Sequence, residues 1–357
     1  MPRNELSGLE RVEASVNHEE GDRVPIIPLI TYALARHVGH TVREFCHDAK
    51  KLFKAVSYGY ERFGYDGIIA YADVYLFAQA AGLSLEFPED GVPHPGNSPI
   101  KSIEDVEALS IPDVHRDGRL PTLLKAVELT CKKYGRKVAV YSGGQGPFSL
   151  AAEIRGLETF LKDLYVNREL AEKLIKFAAE YMIELGEALI KSGAHILHLG
   201  DSFAGPGLIS PQNFSKWAVP MLKQVFYAWK KQGAITSLHI CGNSSPIWHS
   251  IKEVKPDIFE VDHVINLSSA KSFFEGEVCL MGNVDPSWVL HRAPMEEVEV
   301  KTRACVASAA GGGGYILSSG CLIMPGFSYE NFLTFMKAGR NYGKYPVKPQ
   351  NNGKARL

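Results

Sequence analysis

The stretch MLKQVFYAWKKQGAITSLHIC, residues 221–241, decides the fold. Its first half has apolar residues at helical spacing and closes on Lys and Gly, a helix stop. Its second half, ITSLHIC (235–241), is a short run rich in β-formers that ends in His239 and Cys241. Helix then strand, with only a glycine turn between, is one unit of an α/β repeat.

The same unit recurs in both directions. We read about eight strands: VPIIPLI (24–30), GIIAYAD (67–73), KVAVYSG (137–143), HILHLGD (195–201), ITSLHIC (235–241), IFEVDH (258–263), VCLMGNVD (278–285) and YILSSGC (315–321). Helix-period segments separate them. The clearest is ETFLKDLYVNRELAEKLIKFAAEYMIELGEALIKSG, ending at Lys191 and Gly193. Eight strand–helix units over 357 residues favour a single (β/α)8 TIM barrel over an open doubly wound sheet. Residues 1–23 form an N-terminal extension, 74–120 an elaborated connection after the second strand, and 345–357 a tail; all belong to one domain spanning 1–357.

Composition narrows the function. Hydrophobic residues are 45% and charged residues 22%, enough apolar chain for a large core. A net charge of −1 supplies no field for nucleic acid or an anionic membrane. The start of the chain lacks the apolar core of a signal peptide, and no apolar run is long enough to span a bilayer. The six cysteines are scattered, unlike a disulfide framework. These features place the protein in the cytoplasm with reduced thiols. Nothing in the sequence excludes a homo-oligomer.

In a barrel the reactive face lies at the carboxyl ends of the strands. His239 and Cys241 fall there, two apart and so on one side of the strand. A lone His-x-Cys is more often a packed core pair. Here LSSGCLIMPG places Cys321 at the end of the last strand, 80 residues further on but on the same face. One imidazole and two thiolates bind Zn²⁺ and leave a tetrahedral position open, as catalytic zinc sites do. Such a centre is formally neutral, which suits keeping a bound sulfur electron-rich for alkyl transfer; a methoxy or hydroxyl oxygen could also be polarised. Cys46, Cys131 and Cys305 fall in helical segments, and Cys279 starts a strand at the opposite end.

Other strand-end residues are candidates for the same pocket. Asp201 and Ser202 end the fourth strand, Asp262 and His263 the sixth, Asn283 and Asp285 the seventh. Asp201, Asp262 and His263 are candidate catalytic groups. Ser202, Asn243 and Asn283, with Tyr32 and Tyr71 from the N-terminal third, are candidate substrate or ligand-orienting residues. Glu153 reads as an ordinary helix residue. SGGQGPF (142–148) lacks the third glycine of a dinucleotide fingerprint, and GGGG (311–314) precedes a strand, so it is a tight connection.

GPFSLA (146–151), LGDSFAGPGLISPQNFSKWAVP (199–220), HICGN (239–243), MGNVDP (281–286) and SSGCLIMPGFSYEN (318–331) together resemble the uroporphyrinogen decarboxylase superfamily. Within it the chain is similar to the zinc-dependent corrinoid methyltransferases of the methanol and methylamine:coenzyme M type. That resemblance implies a (β/α)8 barrel and carries over His239, Cys241 and Cys321 as zinc ligands. It also implies methyl transfer between a corrinoid, held on a separate corrinoid-binding protein, and a small thiol or methyl donor. Two alternatives stay open, a uroporphyrinogen-type decarboxylase and a methionine-synthase-like thiol methylation. Against the decarboxylase, LITYALARHVGH offers only Arg36 where that branch has an arginine-bearing segment for a polycarboxylate.

Overall fold

A computed structural model describes residues 5–347, so residues 1–4 of the N-terminal extension and 348–357 of the tail lie outside the described residues. Seven parallel strands form one curled sheet: β1 (Gly67–Ile69), β2 (Ala139–Gln145), β3 (Ile196–Gly200), β4 (Ile235–His239), β5 (Ile258–Glu260), β6 (Cys279–Val284) and β7 (Tyr315–Ser319), neighbours in that order. Helices cross between successive strands, as parallel pairing requires. The strands are buried along almost their whole length, so they read as apolar runs and not as alternation.

The expected first strand is the exception. Segment 24–30 joins no ladder, because Pro25 and Pro28 have no N–H to donate. It still touches both edges of the sheet. Ile26 bridges Leu317 and Ile30 bridges Ile323 on the β7 side. On the β1 side the Asp66 amide donates to the Ile26 carbonyl at 2.7 Å. Backbone bonds on its two sides put this segment where an eighth stave would stand.

The N-terminal helix α1 (Gly8–Val16) lies under the amino ends of the strands, held by the Leu9 amide on the Lys137 carbonyl and the Ser15 hydroxyl on the Tyr315 carbonyl. It starts with a capping box between Ser7 and Glu10. Asp66, at the foot of β1, ties this end together. Its carboxylate takes the Arg23 guanidinium at 2.6 Å, Arg11 at 3.1 Å and the Ile26 amide at 2.8 Å. The connection 74–120 carries two short helices and a two-residue antiparallel pair, Leu85–Glu86 with His94–Pro95.

The long helical stretch before β3 is two helices, α2 (Leu157–Val166) and α3 (Arg168–Lys191), broken at Asn167. Helix α4 (Val219–Lys230) buries Leu222, Val225, Phe226 and Trp229, a helical stripe facing the barrel. Trp229 Nε1 donates to the Met182 carbonyl of α3, which fixes α4 against its neighbour. Among the described residues no helix is long and apolar enough to cross a membrane.

Removing the Asp66 carboxylate leaves Arg23 partly buried without its anion, leaves Arg11 with Asp22 alone, and takes away the acceptor of the Ile26 amide. Asp66→Ala is expected to lower unfolding free energy by about 3 kcal/mol. Urea unfolding followed by circular dichroism reads this; a loss under about 1 kcal/mol would show that Asp66 does not hold the closure.

Candidate metal centre

Strand β4 ends at His239, Ile240 turns into the helix layer, and Cys241 returns to the barrel mouth. The Cys241 amide donates to Ser202 Oγ at 3.3 Å, and the Gly242 amide donates to Asp262 Oδ2 at 2.8 Å. These two bonds fix the loop that carries the thiol. On the far side β7 ends at Ser319, and Gly320 passes so close to β5's exit that a Cβ there would lie 2.3 Å from the His263 amide nitrogen. Only glycine allows that approach, and it delivers Cys321 to the mouth.

The outcome is a compact donor set. His239 Nε2 lies 3.0 Å from Cys241 Sγ, and the two sulfurs are 3.8 Å apart. All three ligand atoms fall within 4.8 Å of one another. His239 Nδ1 faces the Glu260 carbonyl at 3.2 Å. An Nδ1–H donating there leaves the Nε2 lone pair free to bind a metal, the usual orienting device for a ligating histidine. The hydrogen bond from Cys321, with His239 also nearby, pulls the Cys241 thiol down to about 3, while the same contact pushes Cys321 up. Burial opposes charge on His239, but the Cys241 thiolate outweighs it and raises the imidazole. The donor set suits a soft or borderline divalent cation, which would take the place of protons on Cys321 and His239.

The three atoms open into a cavity of about 260 Å³ at the carboxyl ends of the strands. Its wall includes Tyr71 and Ser202 from the expected set, with Thr31, Tyr141, Gln145, Glu153, His198 and Glu260. Register aligns part of it: Gln145 pairs with Gly200, Gly200 with His239, and His239 with Glu260.

The other expected residues take supporting places. Asp201 is fully buried, and its Oδ1 accepts the Ser149 amide at 2.7 Å in the first turn of the helix Pro147–Arg155. A Cβ at Gly146 would lie 2.2 Å from the Asp201 side chain, so glycine is required for this approach. Asp262 clamps the Gly242 and Val264 amides. His263 is pinned between Asp262 at 3.0 Å and Asp285 at 3.8 Å, outside the cavity wall. Asn283 donates to the Asp262 and Ile265 carbonyls. Asn243 accepts the Ser245 amide in a local turn, and Tyr32 packs its hydroxyl 3.3 Å from Met324 Sδ.

Sequence reasoning missed the polar floor of the cavity. Glu260 Oε1 accepts from Ser237 at 2.6 Å, lies 2.8 Å from His198 Nδ1 and also takes the Tyr141 hydroxyl; its Oε2 is 3.9 Å from His239 Nδ1. Burial pushes its carboxyl well up and holds His198 down at about 3. A clue was present: Glu260 stands inside an apolar strand, two before Asp262, where alternation sends both to one side. Glu153, read as an ordinary helix residue, is instead buried, with Oε1 accepting from Gln145 Nε2 at 2.6 Å.

A curled parallel sheet with a histidine and two thiols gathered at the carboxyl ends of its strands defines a TIM-barrel-like protein with a thiol-rich pocket. The family model for uroporphyrinogen decarboxylase (URO-D) matches residues 8–342, and the chain belongs to that family. It is 25% identical over 342 residues to the methylcobamide:CoM methyltransferase MtbA of Methanosarcina mazei, covering 95% of this chain and 99% of that one. It is 26% identical over 275 residues to a uroporphyrinogen decarboxylase of Geotalea uraniireducens, covering 75% and 78%. Among solved structures, a methyltransferase from Methanosarcina mazei superposes with a TM-score of 0.87 at 23% identity, over 95% of this chain and 99% of that chain. A B12-independent methionine synthase from Shewanella superposes at 0.57 and 13% identity, over 82% and 86%.

Asp201 provides a test of the local electrostatics. Burial raises its carboxyl from an ordinary 3.8 to about 6. The folded state therefore holds its proton more tightly than the unfolded chain does. The resulting stabilisation is full below pH 4 and is lost as pH rises through 6. Asp201→Asn keeps an acceptor for Ser149 but cannot titrate. The wild-type minus variant difference in unfolding free energy is expected to fall by about 2–3 kcal/mol between pH 4 and 7. A flat difference would mean that Asp201 is not held in a burial-raised state.

Proposed function

We propose that this protein is a zinc-dependent methyltransferase that moves a methyl group between a corrinoid carried on a partner protein and a small thiol or methyl-donor substrate. The observation that carries the reading is the convergence of His239, Cys241 and Cys321 on a cavity open at the barrel mouth. The names of the MtbA relatives point the same way, as methyltransferases acting with methylcobamide. A barrel domain completed by segment 24–30 as its eighth stave fits the reading. So does a reducing compartment such as the cytoplasm, where all six cysteines stay free.

Zinc held by these residues would bind the substrate's sulfur or oxygen and, for a thiol, favour the thiolate at neutral pH. The remaining work falls to the chain. Ser202 and Asp262 hold the Cys241–Gly242 backbone, and the Glu260 carbonyl orients His239. The cavity wall positions the substrate and screens it from bulk water. In the thiol direction a bond forms between substrate sulfur and methyl carbon. The corrinoid would supply the methyl group as a cation equivalent, keeping both bonding electrons, and the thiol proton would pass to solvent. Asp201, Asp262 and His263 act in this reading through the backbone and loops that they hold.

The purified chain should hold about one Zn²⁺, and the Cys241→Ala, Cys321→Ala double variant should lose nearly all of it while its far-ultraviolet circular dichroism persists. Undiminished zinc in the double variant by plasma mass spectrometry would sink the ligand assignment.

Activity is tested with free methylcob(III)alamin against a panel of small thiols and with cob(I)alamin against methoxy, methanol and methylamine donors, read by cobalamin absorbance. Zinc-dependent turnover of at least one partner is expected. Uroporphyrinogen should not be decarboxylated. Arg36, the arginine nearest to the place of that branch's clamp, is exposed and paired with Asp90, and among the described residues no Arg or Lys lines the cavity. Chelator-resistant uroporphyrinogen turnover would replace this reading with a decarboxylase.

A further inference from the structure

Two buried polar atoms on residues of the cavity wall have no partner among the described residues: Glu153 Oε2 and Thr31 Oγ1. Glu153 is 6% exposed and Thr31 fully buried. An unsatisfied polar atom so deep is costly unless a ligand completes it. Burial pushes the Glu153 carboxyl well above the usual carboxylate range, with the Gln145 hydrogen bond opposing that only in part. Tyr71 and Tyr75, close enough to feel its charge, line the same cavity, as does a second buried carboxyl, Glu260. Arg119, whose charge acts on Tyr71, is committed elsewhere. It is buried against Asp73, with Nε donating to Gln79 and Nη1 also to the Cys46 carbonyl. The wall thus offers two carboxyls, aromatic faces and hydroxyls, and no Arg or Lys among the described residues.

We propose that Glu153 and Thr31 bind the non-reacting end of the substrate, and that this end is a hydrogen-bond donor without negative charge, an amino or hydroxyl group. The inference rests on the methyltransferase reading and specifies its substrate class. An ammonium gains a buried counter-ion in Glu153 and aromatic faces beside it. A hydroxyl bonds the neutral acid. A sulfonate or carboxylate would be desolvated against two carboxyls with nothing to balance it.

Calorimetry on the zinc-loaded full chain separates the cases with four probes: 2-aminoethanethiol, 2-mercaptoethanol, 2-mercaptoethanesulfonate and sulfur-free ethanolamine. The first three share one two-carbon thiol and differ only in the head group. The amino and hydroxyl thiols are expected to bind at least about tenfold tighter than the sulfonate. Glu153→Gln should cut the preference for the amino thiol over the hydroxyl thiol by about tenfold while zinc content stays at the wild-type value, since Glu153 bonds none of the three ligands. Thr31→Val is the second variant, expected to weaken both thiols alike. If 2-mercaptoethanesulfonate binds tightest, the head-group inference falls and the methyltransferase reading stands. If no thiol binds but ethanolamine does, and Glu153→Gln abolishes it, the head-group inference stands and thiol methylation falls. If none of the four binds, both fall.

Discussion

The structure depends on the curl of its parallel sheet. His239 and Cys241 leave β4, and Cys321 leaves β7, three strands away in the sheet order. Adjacent strands are roughly 4.8 Å apart, so a flat sheet would hold the two exits about 14 Å apart. In the protein the two sulfurs are 3.8 Å apart. Curl brings them together, and segment 24–30 maintains it by bonding to both β7 and β1. The 3.8 Å approach of the two sulfurs is thus a consequence of how far the sheet curls.

Glycine and carboxylate share the fine positioning. Gly320 brings the Cys321 loop against His263, and Gly146 lets Asp201 reach the first turn of the following helix. Asp262 then holds the Gly242 amide from the next strand. These carboxylates bind backbone amides. A strand-end carboxylate beside otherwise unpaired amides finds partners in the chain, as these two do.

The interior beneath the thiols is polar, yet among the described residues no Arg or Lys lines it. Tyr141, Ser237 and His198 converge on Glu260 directly behind His239. Such a network is affordable in a buried site because nearly every atom in it is paired. Glu153 Oε2 and Thr31 Oγ1, on two residues of the cavity wall, depart from that rule, having no partner among the described residues.

The sequence by itself determined the strand–helix repeat, because apolar runs and helix stops are local signals. HICGN and SGCLIMPG also announced three ligand-type residues at strand ends, because position along a strand fixes which end a residue occupies. It did not determine that segment 24–30 would bond both edges without forming a ladder, since its prolines remove donors that only the neighbours reveal as missing. It could not distinguish Asp201 and Asp262, which hold amides, from Glu153 and Glu260, which face the cavity. Asp201, Asp262 and Glu260 are acidic residues at strand ends, and Glu153 lies on the helix that follows β2. Their roles follow from which amides, rings and carboxyls the closed sheet sets beside them, and that is a matter of contacts between strands far apart in the chain.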